Sequence, residues 1–134
     1  MGRFGLAFAA VAAFGIAGGA GAALAQSAPA GIKRTPLQNF DVPGPNYQTV
    51  IGTAEIAPGA SIGKHTHFGI EAGYVLEGEF VMTVDGQPLK TYRKGEHYMI
   101  PAGVAHDAKA HDDGAKVLAT YVVEKGKPFA TPAP

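Results

Sequence analysis

The sequence predicts an all-β chain folded as one sandwich or barrel, and two observations carry that expectation. After residue 25 no stretch keeps a 3.6-residue apolar period between helix caps, so helix content should be very low. Short β-rich or alternating runs recur instead between turn signals at roughly ten-residue intervals. About eight such runs is the number that small sandwiches and barrels use. At 134 residues the chain has the length of a single domain.

Residues 26–49 read as an N-terminal arm. From Ser27 to Pro45 the chain is rich in Pro, Gly and Ala, with Ile32, Leu37, Phe40 and Val42 scattered through it. That composition suits an extended segment packing a few side chains on the body or on a partner subunit. Residues 50–123 form the β-domain, whose first strand already starts in the arm. Tyr47 to Ile56 is that strand, stopped by Ala57-Pro58-Gly59; Ala60 to His67 is the second. Glu71 to Leu76 is the third and ends in a turn at Glu77-Gly78. Glu79 to Val84 runs into Asp85-Gly86, a strong hairpin dipeptide, and Pro88 to Tyr92 pairs back. Lys94-Gly95 turns the chain into Glu96 to Ile100, and Pro101-Ala102-Gly103 bends it before Ala105 to Ala110. Asp112-Asp113-Gly114 then turns it into Ala115 to Val123. Residues 124–134 are a tail; with Pro128, Pro132 and Pro134 it cannot join a central strand, and its end is expected to be mobile.

Residues 1–25 read as a signal peptide. Arg3 supplies a thin positive start, Leu6 to Leu24 carries no charge, and Ala23-Leu24-Ala25 forms an Ala-x-Ala cleavage site. The competing reading is a retained anchor, since the apolar run approaches the ~20 residues that span a bilayer. Its many Gly and Ala residues make it weakly hydrophobic and favour cleavage. No Arg-Arg pair is present, so a Sec-type signal and a periplasmic or secreted protein are expected, without stable membrane insertion.

Cleavage removes one basic residue, leaving ten Lys and Arg against eleven Asp and Glu. That balance gives no electrostatic case for nucleic acid or an acidic membrane surface. The absence of cysteine excludes thiolate ligation, disulfides and cysteine nucleophiles. Chemistry must come from His, carboxylate, Tyr, Lys or a metal.

Four side chains have the types and spacing of a metal cage: His65, His67, Glu71 and His106. A His-x-His pair on a strand puts both imidazoles on one face, and Glu71 lies an even number of positions further on. Nitrogen and carboxylate donors of this kind suit a divalent transition metal. The two runs that hold them resemble the two motifs of the cupin superfamily. Gly59, His65, His67, Glu71 and Gly78 match the first motif; Gly95, Pro101, Gly103 and His106 match the second. The last position of the second motif is Ala110 where the family usually has Asn, which leaves a more open or apolar wall in the cavity. The resemblance spans roughly Val50 to Val123.

The resemblance implies a single jelly-roll β-barrel with the metal inside its mouth, and a homodimer paired through strands or N-terminal arms. It also implies iron or manganese and oxygen chemistry, whereas affinity order outside the cytoplasm favours copper, zinc or nickel. The ion's identity stays open among Fe, Mn, Zn, Cu and Ni. Two main function classes follow. One is a metal-dependent dioxygenase acting on a small organic molecule, of the type seen in quercetinase-like cupins; in some such oxygenases the carboxylate matching Glu71 leaves the metal and accepts a proton, which makes Glu71 the candidate catalytic residue. The other is a carrier or sensor that binds a metal or small ligand without turnover. A third is a β-domain whose metal only stiffens it. Fold alone does not choose between them.

The remaining candidates are weaker. His97 and His111 match no motif position and are read as surface residues, His111 in a turn. Lys64 is out of phase with the cage and is read as solvated. Phe68, Ile70, Tyr74, Met82 and Met99 are candidates to line the cavity or simply to fill the core.

Overall fold

The computed structural model describes residues 28–44 and 46–134. The leader at 1–25 and the first two residues of the arm lie outside the described residues. Every regular element described is a strand: β1 (Ile32–Asp41), β2 (Tyr47–Ile56), β3 (His65–Thr66), β4 (Gly69–Val84), β5 (Lys90–Arg93), β6 (His97–Ile100), β7 (His106–Glu124) and β8 (Thr131–Pro132). The fold is an all-β jelly roll whose sheet is not closed into a complete barrel.

Two long strands organise it. The front half of β4 pairs with the back half of β7, Glu71 opposite Tyr121 and Val75 opposite Val117. The back half of β4 pairs with the front half of β7, Phe80 opposite Ala110 and Val84 opposite His106. One layer therefore runs β1, β2, the back of β7, the front of β4, then β6. The other runs β8, β3, the front of β7, the back of β4, then β5. β4 and β7 cross between layers at register shifts around Glu77 and Gly78.

That crossing corrects the expected turns at Glu77-Gly78 and at Asp112-Asp113-Gly114, because both strands run straight through. Gly78 and Gly114 do have positive φ angles, 68° and 74°, but they serve as bulges inside paired strands. An added Cβ at Gly78 would overlap the carbonyl oxygen of Gly114, so each strand approaches the other where side chains are absent.

One other expectation is revised, and the arm and tail gain detail. Ala60 to His67 is mostly irregular: only His65–Thr66 is a strand, with a single bridge from Ser61 to Lys109. Positive φ at Gly63 breaks the run, and the Asp107 carboxylate accepts from the Gly63 N–H at 2.9 Å and the Ser61 hydroxyl at 2.6 Å. The arm packs on the body as a strand: β1 pairs antiparallel with β2 along its length, with a bulge between Pro36 and Gln38. Proline is tolerated because β1 is an edge strand. The tail folds back too. β8 pairs with β3, and Phe129 is buried in the core.

The core lies between the layers. Val50, Ile56, Val75, Phe80, Met82, Ile100, Val117 and Val123 fill it, with Val75 and Phe80 fully buried. Along β4 burial alternates strictly from Gly69 to Val75, so Glu71 points inward among these side chains.

Candidate metal centre

The jelly roll gathers His65, His67, Glu71 and His106 to one point, their ligand atoms all within 4.8 Å of one another. His65 lies in β3 and pairs in register with His106, the first residue of β7. His67 follows β3, and Glu71 enters from β4. Nε2 of His65 and Nε2 of His67 are 3.2 Å apart, and Oε2 of Glu71 is 3.1 Å from Nε2 of both His67 and His106. His67, Glu71 and His106 are buried, while His65 keeps some exposure.

Each imidazole is oriented by a backbone carbonyl on its far side. Nδ1 of His65 lies 2.7 Å from Gly63 O, that of His67 2.6 Å from Phe129 O, and that of His106 2.9 Å from Val104 O. A carbonyl only accepts, so each Nδ1 carries the proton and, in the neutral ring, each Nε2 presents a lone pair to the centre. Three such lone pairs converge there with a carboxylate oxygen. Buried acceptors facing acceptors need positive charge between them, supplied by a cation or by extra protons on the rings. The donor set therefore fits a divalent first-row metal, and these are the residues that could hold it.

The metal-free electrostatics agree. Burial works to raise the Glu71 pKa, but hydrogen bonds with His106 and His67 outweigh it and hold the carboxyl well below the usual range. Burial lowers His65 to about 4, with only partial offset from the Gly63 carbonyl. For His106 burial is outweighed by its bond to Glu71, and its pKa is raised.

Tyr98 donates to Oε1 of Glu71 at 2.8 Å, leaving Oε2 facing the imidazoles. Tyr121 packs its ring against those of His67 and Phe129, with ring centroids 5.0 and 4.7 Å away. Burial raises both phenols well above their ordinary pKa, so both remain neutral donors. The sequence reading missed Tyr98, Tyr121 and the Phe129 carbonyl. Strand phase contains the first two: Tyr98 is in step with Ile100, and Tyr121 with Val123. Nothing in the sequence marked Phe129, whose role depends on the tail folding back.

The expected lining residues separate by that same phase. Met82 faces the cavity, whereas Tyr74 and Met99 lie on the outer face of the layer, 47% and 60% exposed. Phe68 and Ile70 line an open apolar cleft of about 580 Å³ that also touches His67. His97 and His111 are exposed and away from the cage; His111 lies 3.9 Å from Glu79. Lys64 is half-exposed and pairs with Asp85 at 3.1 Å. Ala110 is buried opposite Phe80.

A family model described as "Cupin domain" matches residues 52–129. No curated protein sequence matches the chain. Among solved structures, an RmlC-like cupin from Shewanella frigidimarina is 26% identical, with a TM-score of 0.62 over 75% of this chain and 84% of that one. A cupin superfamily protein from Desulfitobacterium hafniense is 21% identical, with a TM-score of 0.60 over 74% and 84%. The DMSP lyase DddQ from Ruegeria pomeroyi is 18% identical, with a TM-score of 0.65 over 76% of this chain and 51% of the lyase.

Proposed function

The chain belongs to the cupin domain family, and from that premise we propose that it is an exported, metal-dependent enzyme of dioxygenase type acting on a small organic molecule. The observation that carries this reading is the orientation of three imidazoles, each tied by its Nδ1 so that its Nε2 meets the others and Glu71. Four protein donors leave one or two coordination positions free on an ion that takes five or six, which suits turnover better than a closed structural site. Similarity to a lyase supports an enzyme only as far as the shared fold.

A divalent metal held there supplies Lewis-acid polarisation and, if redox-active, the electron exchange that dioxygen chemistry needs. The chain's own part is positioning and proton handling. Tyr98 fixes one carboxylate oxygen of Glu71, and Glu71 is the candidate acceptor for a substrate proton. Phe80 and Met82 give the cavity beside it an apolar wall. Export rests on the leader pattern at 1–25, and pairing of two copies on the apolar outer face of the layer containing Ile70, Tyr74 and Met99.

Two measurements test the proposal. His106→Ala should lower metal occupancy sharply in a protein that stays folded, and His111→Ala should leave occupancy unchanged; equal losses mean the ligands are misassigned. Oxygen uptake by metal-loaded protein with small carboxylates, diketones, small phenols and flavonols reads the activity. A metal-loaded protein that consumes no oxygen with any of them is a binding protein instead.

A further inference from the structure

Arg34 is a cation in the wall of the metal cavity. Side chains point alternately to the two faces of a strand, so Arg34, two positions after buried Ile32, shares its inward face, while Lys33 points out and pairs with Glu55 at 3.6 Å. Its register partner Ala54 also faces inward. Arg34 lines the same cavity as His65, Glu71, His106 and Tyr121, and Tyr121 feels its charge. Of the lining residues only Arg34, Ile62 and His65 keep some exposure, so they mark the mouth. Among the described residues the guanidinium has no ion-pair partner, although partly buried charges normally have one.

Charge counting gives the ligand's sign. Glu71 is the one carboxylate in the lining. With a divalent ion held by three neutral imidazoles and Glu71, the cage is singly positive, and Arg34 adds a second charge across a largely apolar space. The cavity is narrow, about 20 Å³, with room inside for a group of roughly water to carboxylate size. We propose that Arg34 is the anion anchor of this site and that the substrate is a small carboxylate, its carboxyl held by the guanidinium while a neighbouring atom faces the cage. The inference rests on the proposed metal site and narrows its substrate class. An Arg fork matches a carboxylate bidentately, which Lys cannot reproduce.

Acetate and its neutral isostere acetamide test this on ¹⁵N-labelled protein, with zinc as a diamagnetic ion. The readouts are zinc stoichiometry and the Arg34 Nε–H resonance. In the zinc-loaded protein acetate should shift that resonance saturably and bind about tenfold more tightly than acetamide. Arg34→Gln should erase the preference at unchanged zinc stoichiometry, and Arg34→Lys should retain part of it. Acetate binding to Arg34→Gln with wild-type affinity, or equal binding of acetamide, overturns the assignment. If the protein takes up no zinc, the metal proposal fails by itself, and the metal-free protein then decides on Arg34: a saturable acetate shift supports the anchor, and its absence overturns it.

Discussion

Each cage residue has a protonation state set by its surroundings, and together they predict how metal-free protein responds to pH. His65 falls from 6.5 to about 4 on folding, so the unfolded chain takes up its proton first and stability drops as pH falls from 6.5 toward 4. Glu71 is depressed, so its contribution is complete above its ordinary 4.5 and is lost as pH falls below it. His106 is raised, so its contribution is full below 6.5 and lost as pH rises through its folded value. The acid and alkaline losses meet near pH 6.5. Thermal midpoints of chelator-treated protein should peak there and fall by the equivalent of roughly 2–3 kcal/mol by pH 4.5. His65→Asn should flatten the acid limb between pH 6.5 and 4.5. A midpoint that rises steadily from pH 4.5 to 9 contradicts the assigned shifts. At this scale the sequence was informative about residue types and spacing, which brought His65, His67, Glu71 and His106 into view. It could not reveal Tyr98 or the Phe129 carbonyl, because a second layer of contacts depends on which strands face each other.

Strands were legible wherever turn chemistry ended them. Asp85-Gly86 closes the hairpin of β4 and β5, and Lys94-Gly95 leads into β6, as their dipeptides indicate. The same reasoning failed at Gly78 and Gly114, since a glycine with positive φ serves a bulge as well as a turn, and only pairing distinguishes them. The arm and tail show how far the proline signal reaches: proline forbids a central strand but not an edge, and β1 and β8 both lie at edges. The crossing makes a direct prediction. Gly78→Ala places a methyl against the Gly114 carbonyl and a side chain at positive φ, so it should cost about 3 kcal/mol, measured by denaturant unfolding. Gly86→Ala also forces positive φ but meets open space, and should cost about 1 kcal/mol. Equal costs would mean that conformation alone, and not the close approach of β4 and β7, requires glycine at the crossing.

At the scale of the molecule the two layers are unequal. The layer containing the front of β4 buries Glu71 and Val75 on one side and shows Ile70, Ala72 and Tyr74 to solvent on the other. Met99 stands opposite Ala72 on β6, and Leu118 opposite Tyr74 on β7, so these apolar side chains form one strip. Soluble monomers rarely leave such a strip open, because each side chain kept from water contributes ~25 cal/mol per Å². Leu37 and Phe40 extend the exposed apolar surface at the β1 edge, 58% and 47% exposed. Two copies facing through this layer would cover both and leave Arg34 and His65, which line the interior cavity, uncovered. Sedimentation should therefore find a dimer at micromolar concentration. Met99→Glu should shift it to monomer without changing metal stoichiometry, because Met99 points away from the cage. A wild-type protein that sediments as a monomer at tens of micromolar, or a Met99→Glu protein that stays dimeric, would move the interface to another face, with the β1 edge the next to test.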